Sequence, residues 1–210
     1  MFNNIKKNIL IEYMTENEIV ANETLENEIK SKIELLIDEY YAKYGKNILF
    51  KKAQKNECAE IISNAISIEQ LIANTIQILP GTNKVFINYL IFKTFATQNN
   101  YDIVINNLIE LFQTCIDNYG SYEVHINLSS FSVSACERYK GVFPVLVEYC
   151  FKRNNKYLHS ITNLYIYNTP TSMPTITQIV SPFVDPSMKK KITYYNKIES
   201  NNMIKNLLSY

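Results

Sequence analysis

Two histidines, four cysteines and a scatter of serines are the residues here that could make or break bonds. None falls into a spacing that such chemistry needs. His125 and His159 stand outside any His-x-x-x-His or His-Glu pattern, which speaks against a zinc site, and no metal is expected. Cys58, Cys115, Cys136 and Cys150 form no Cys-x-x-Cys pair and read as reduced, buried thiols. Ser129 and Ser130 follow an apolar run, but no Gly-x-Ser-x-Gly elbow surrounds them and no acid partner for His159 is evident. Serines in that position commonly serve turns. Phosphate-cradling loops need glycine so that backbone amides can approach the ligand. The segments after the expected strands, Lys93–Thr97, Ser129–Ser132 and Asn168–Ser172, are not glycine-rich. Nucleotide binding and hydrolysis are therefore disfavoured, no catalytic residue or cofactor is assigned, and no enzyme is expected.

What remains is apolar. Met173, Ile176, Ile179, Val180 and Phe183 fall largely on one side of a short helix. Periodicity alone fits a crossover helix whose apolar side is core. Its punctuation suggests a pocket wall that moves as a unit: Asn168-Thr-Pro170 precedes it and Pro182 closes it. Lys189, Lys190 and Lys191 lie just beyond, as a solvated turn or as a contact for anionic headgroups.

The elements that must position this segment can be read from the pattern. Leu25, Ile29, Ile33, Leu36, Ile37, Tyr40 and Tyr44 mark one helix face, stopped by Gly45, and Thr15–Glu18 is a candidate capping box before it. Asn47–Phe50 is a short extended piece. Helices are expected over Glu57–Ile66 and from Ser67 to Leu79, the latter ended by Pro80-Gly81. Val85–Phe92 is apolar on both faces and reads as a central strand. A helix follows from Asp102 to Tyr119 with Gly120 as its stop, then a strand over Tyr122–Leu128. A further capping box, Ser134–Glu137, opens a helix reaching Phe151, which Pro144 should kink or split. Strands at Tyr165–Tyr167 and Ile192–Tyr195, a helix over Pro174–Phe183 and a last helix over Asn201–Tyr210 complete the chain.

Alternating strand and helix imply an α/β fold: a mainly parallel β-sheet of four or more strands flanked by helices, with an N-terminal helical layer. The expected boundary is the Pro80–Asn83 turn, giving residues 1–81 as a helical region and 82–210 as the α/β domain. A net charge of +1 offers no basic field for nucleic acid. No apolar run is long enough to span a bilayer, and residues 1–7 lack a signal-peptide pattern, so a cytoplasmic protein is expected.

The order strand, Asn-x-Pro, apolar helix, Pro-Phe-Val-Asp-Pro, Lys-Ile, strand resembles CRAL-TRIO lipid-binding domains. The residues that carry it are Asn168, Pro170, Pro182, Phe183, Asp185, Lys191 and Ile192. The resemblance implies a mobile gate helix at Met173–Phe183 and one bound hydrophobic lipid that exchanges at a transient, peripheral membrane contact. It implies a sheet floor carrying Tyr165, Tyr167, His125 and Asn127, with one member of each pair expected to point into the pocket. Lys191 matches the lysine that helps bind inositol phosphate in some members. Tyr157-Leu-His-Ser160 departs from the Tyr-Pro-Glu-Arg of those members, with His159 in the acidic place. The expected function is non-enzymatic binding and transfer of a lipid. The alternative is a protein-interaction adaptor that keeps the fold and fills its pocket, with the N-terminal helices as the partner surface. Phe131, Phe143, Tyr165 and Phe183 would then meet across the pocket space.

Overall fold

The computed structural model describes residues 27–152 and 155–209. The candidate capping box at Thr15–Glu18 and the helix-face residue Leu25 lie outside the described residues. The chain forms two compact units, Met1–Lys46 and Asn47–Tyr210. In the first, residues 27–44 form helix α1.

The second unit runs α2 (Lys51–Ala65), α3 (Ile68–Ala73), β1 (Ile76–Ile78), β2 (Lys84–Asn88), α4 (Tyr89–Phe95), α5 (Tyr101–Tyr119) and β3 (Tyr122–Asn127). It continues with α6 (Val133–Tyr139), α7 (Val142–Val147), a π turn (Glu148–Lys152), α8 (Lys156–Ser160) and β4 (Ile161–Tyr167). The last elements are α9 (Met173–Val180), a 3-10 turn (Ser181–Phe183), α10 (Pro186–Lys189), β5 (Ile192–Tyr194) and α11 (Lys197–Leu208). The five strands form one sheet in the order β1-β2-β3-β4-β5. β1 is antiparallel to β2, and every later pairing is parallel. The sheet is thus the mainly parallel, helix-flanked one that the alternation implies.

Three local expectations are corrected. Val85–Phe92 is not one strand. Asn88 Oδ1 accepts a hydrogen bond from Leu90 N at 3.1 Å, and this cap starts α4 halfway along the apolar run. Nor is Ser67–Leu79 one helix. Ser67 caps α3 as expected, but Thr75 N bonds back to Ile72 O at 2.8 Å, and the β-branched residues beyond it enter β1. The Pro80–Asn83 turn therefore joins two paired strands, with Gly81 at φ +68°. The compact unit runs through this turn from Asn47, because α2 and α3 pack on α4. The helix expected from Ser134 to Phe151 is broken into α6, α7 and the π turn. Its cap is Ser132, whose Oγ accepts from Ala135 N at 3.2 Å. Pro144 falls in the first turn of α7, where its missing N–H costs nothing.

The two faces of the sheet differ. Val85, Tyr122, Val124 and Ile166 are buried on one of them. Helix α5 packs there, stacking Phe112 on Tyr122 at 4.2 Å between ring centroids. Gly120 ends α5 at φ +75°, as its position after the last periodic residue implies. The opposite face carries Phe86, His125, Tyr165 and Thr193 in one row across four strands. All four cysteines are free and buried, and burial pushes the Cys150 thiol up to about 12. Among the described residues, no helix is long and apolar enough to cross a membrane, and no cluster of His, Cys, Asp and Glu could hold a metal ion.

Candidate lipid site

The residues expected to line a pocket fall into two groups. His125, Asn127, Tyr165 and Tyr167 share one sheet face. The expectation that one member of each pair points away is corrected: residues two apart on a strand face the same way. His125 stacks on Tyr165 at 4.9 Å and on Tyr167 at 5.9 Å, and Tyr195 stacks on Tyr167 at 5.4 Å. Tyr167 also joins Leu79, Phe86 and Leu207 in a buried apolar cluster, with Ile204 packed against it. Helix α11 therefore covers this end of the face.

His125 is buried, and its Nδ1 lies 2.9 Å from the Tyr167 hydroxyl. Its Nε2 sits 3.4 Å from Glu123 Oε2, without the alignment of a hydrogen bond. Burial lowers the imidazole pKa below its usual range, the Glu123 carboxylate pulls it partly back, and Lys84 lowers it again. The arrangement suits a neutral imidazole that accepts from the tyrosine hydroxyl and turns an N–H toward Glu123. The other oxygen of Glu123 accepts from Asn163 Nδ2 at 3.1 Å. The polar floor thus includes Lys84, Glu123, Asn163 and Tyr195, which the sequence reading missed. The two-residue period was the available signal: Glu123, His125 and Asn127 occupy alternate positions of one strand.

The residues expected to form a gate are the second group, and α9 packs on α6. Ile176 is buried at 2% exposure, while Met173, Ile179, Val180 and Phe183 are half-buried. Phe183 stacks on Phe143 of α7 at 5.8 Å. Helix α7 itself buries none of its residues, although Val142, Phe143, Val145, Leu146 and Val147 are all apolar. Apolar side chains of α7 and of the Met173–Phe183 segment thus stay partly exposed on either side of the Phe143–Phe183 stack. Of the other large side chains expected in a filled pocket, Phe131 packs edge-on against Tyr89 at 4.8 Å, and Tyr165 stays in the histidine stack.

The punctuating residues hold the two ends of the Met173–Phe183 segment. Asn168 adopts φ +54°, a left-handed backbone that asparagine tolerates better than most residues. Its Nδ2 donates to Asn127 Oδ1 at 2.9 Å, and its backbone N donates to Ser200 Oγ at 2.7 Å. Thr169 N and Oγ1 both donate to Tyr195 O at 3.0 Å. At the far end Asp185 caps α10, accepting from Ser187 N at 2.8 Å and from its hydroxyl at 2.6 Å. These bonds hold its carboxyl below the usual range. Lys191 Nζ donates to Ile161 O at 2.6 Å and Leu158 O at 3.3 Å, tying down the start of β4. Lys189 and Lys190 are exposed, and Lys189 Nζ reaches Ser181 Oγ at 3.3 Å.

A separate cavity of about 340 Å³ lies among α2, α3 and the start of α5, lined by Glu60, Ser63, Asn64, Asn99 and Asn100 among others. No gate residue borders it. Ser130, just beyond β3, accepts a hydrogen bond from Lys93 Nζ at 2.8 Å.

Comparison with known proteins agrees with the motif geometry. The structure titled "Crystal structure of Sfh5" is 14% identical, with a TM-score of 0.44 over 82% of this chain and 79% of that one. No curated protein sequence matches the chain. The model of the CRAL/TRIO domain matches residues 104–209, just over half of the 210 residues, from α5 through α11 and across every punctuating residue described above. The chain therefore belongs to the CRAL/TRIO domain family, a family of lipid-binding proteins.

Proposed function

We propose that this chain binds a single hydrophobic lipid without chemical change and passes it to and from membranes, the acyl part lying along the seam between α7 and the gate. The carrying observation is the unsatisfied apolar side of that seam. A crossover helix settled in a core would bury Met173, Ile179, Val180 and Phe183 together with Ile176; here Ile176 alone is buried. Full burial of such a side chain is worth about 1.5–3 kcal/mol. The exposed remainder leaves at most about 0.5–1 kcal/mol per residue for an apolar ligand to gain. The anchored ends at Asn168 and Asp185 let the segment between them shift while the sheet stays fixed. Lys189 and Lys190 supply charge for headgroups, each worth about 1 kcal/mol at an anionic surface. Lys191 serves β4 instead.

Native mass spectrometry of the purified chain, with organic extraction of what travels with it, tests this reading. A stoichiometric lipid is expected, lost in Ile179→Arg while the far-ultraviolet circular dichroism is unchanged. A bare polypeptide mass, persisting after incubation with mixed liposomes, overturns it. One observation favours the adaptor reading: Phe143 and Phe183 already meet across the seam. Under that reading Phe183→Ala opens space without creating lipid binding; under ours it alters which lipid is carried.

A further inference from the structure

Ile48, Leu49 and Phe50 lead into α2, and they are 78%, 87% and 66% exposed. Single apolar residues on a surface are ordinary; three in succession, this bare, are not. The backbone beneath them is fixed. Asn47 Oδ1 accepts from Leu49 N at 2.9 Å and from Phe50 N at 3.0 Å. Asn47 N donates to Gln54 Oε1 at 2.9 Å, and Gln54 N donates to Phe50 O at 3.0 Å. The three side chains therefore project from a locked turn.

Charge follows at once. Lys51, Lys52 and Lys55 are all exposed, and the carboxylates of α2, Glu57 and Glu60, come only after them. The first turn of α2 has no acidic residue, and lysines there oppose the helix dipole. The stability of the helix does not account for them. Arg138 of α6 donates to Asn56 Oδ1 and to Lys55 O, both at 2.9 Å, which extends the basic side of the tip.

We propose that Ile48, Leu49 and Phe50 form a membrane-insertion finger: the three apolar side chains enter the boundary of an anionic bilayer, and Lys51, Lys52 and Lys55 meet its phosphates. Charge complementarity selects this occupant. Size points the same way. A stable protein interface buries about 1,200–2,000 Å², which one tripeptide cannot supply. Shallow insertion needs only a few side chains and flanking cations. The finger belongs to the compact unit that carries the gate, yet it shares no residue with the lipid seam, so the inference stands apart from the cargo reading.

The test is co-sedimentation of the full chain with vesicles of phosphatidylcholine alone or mixed equally with phosphatidylserine. The wild type should pellet with the mixed vesicles and stay free of the neutral ones, and salt should weaken the binding. Leu49→Ser combined with Phe50→Ser, and separately Lys51→Glu combined with Lys52→Glu, should each reduce binding about tenfold or more. These exposed positions leave the circular dichroism and the lipid found by native mass spectrometry unchanged. The proposal fails if the wild type ignores anionic vesicles, or if the finger variant pellets as the wild type does. It fails equally if the finger instead drives self-association seen by light scattering without vesicles. Cargo retained with vesicle binding lost separates this site from the seam; cargo absent with vesicle binding intact condemns the seam alone.

Discussion

Ser200→Ala should loosen the gate from outside it. Ser200 is fully buried, at 0% exposure, and one oxygen does two jobs. It accepts from Asn168 N at 2.7 Å and donates to Asn196 O at 2.6 Å. Alanine keeps the packing and removes the acceptor, so the N–H of Asn168 loses its partner at a left-handed residue. An orphaned donor of this kind costs about 1–3 kcal/mol. With a urea slope of about 2 kcal/mol per molar, the unfolding midpoint should fall by roughly 0.5–1.5 M at unchanged slope. Ser209→Ala is the control, since the exposed Ser209 hydroxyl donates only to Asn206 O, and it should move stability by less than about 0.5 kcal/mol. Because the freed amide lies at the gate entrance, fluorescent-lipid exchange should also be faster in Ser200→Ala. A Ser200→Ala protein as stable as the control would refute the argument that this hydroxyl holds the entrance in place.

Acid should destabilise the fold through His125. Its folded pKa lies below the ordinary 6.5, so the unfolded chain binds the proton more readily. Stability is then full above about pH 6.5 and declines as pH falls from there toward the folded value. Urea midpoints measured across this range should show the decline in the wild type and a flatter profile in His125→Gln; equal slopes in both would reject the buried neutral imidazole. Lys191→Met should lower the urea midpoint through lost charged hydrogen bonds, worth about 1.5–3 kcal/mol. Headgroup preference in a lipid-overlay or extraction assay should stay unchanged, and a changed preference at intact stability would restore Lys191 to the ligand.

Much of the frame was legible because several signals agreed at each place. In α5 the apolar spacing and Gly120 agreed on the helix and its end, although Asp102 lies in its first turn and not at the cap, which is Asn100. The run Val85–Phe92 misled because period and composition describe side chains, whereas the switch to helix there depends on one amide oxygen at Asn88. Thr75 likewise broke a plausible helix through a backbone turn that no periodicity records. At the site, the short helix after β4 and its punctuation were readable from Asn168, Pro170 and Pro182. Their tasks were not: Asn168 bridges to Asn127, and Lys191 spends its charge on backbone carbonyls across the chain. Nor could the pattern show that α7, apolar at five of six positions, would bury none of them.

The outer strand β5 has a consequence for the molecule as a solute. It is three residues long and is the last strand of the sheet. A parallel sheet grows by adding neighbours at such an edge, and an edge left long and apolar invites another copy to join. Here Lys189, Lys190 and Lys191 stand at the entrance to the strand, and Thr193 and Tyr194 are exposed along it. A second chain arriving in register would bring its own lysines against these, for the return of only a few backbone hydrogen bonds. Lys189 and Lys190, proposed above to meet headgroups, thus also discourage the sheet from propagating into a fibre.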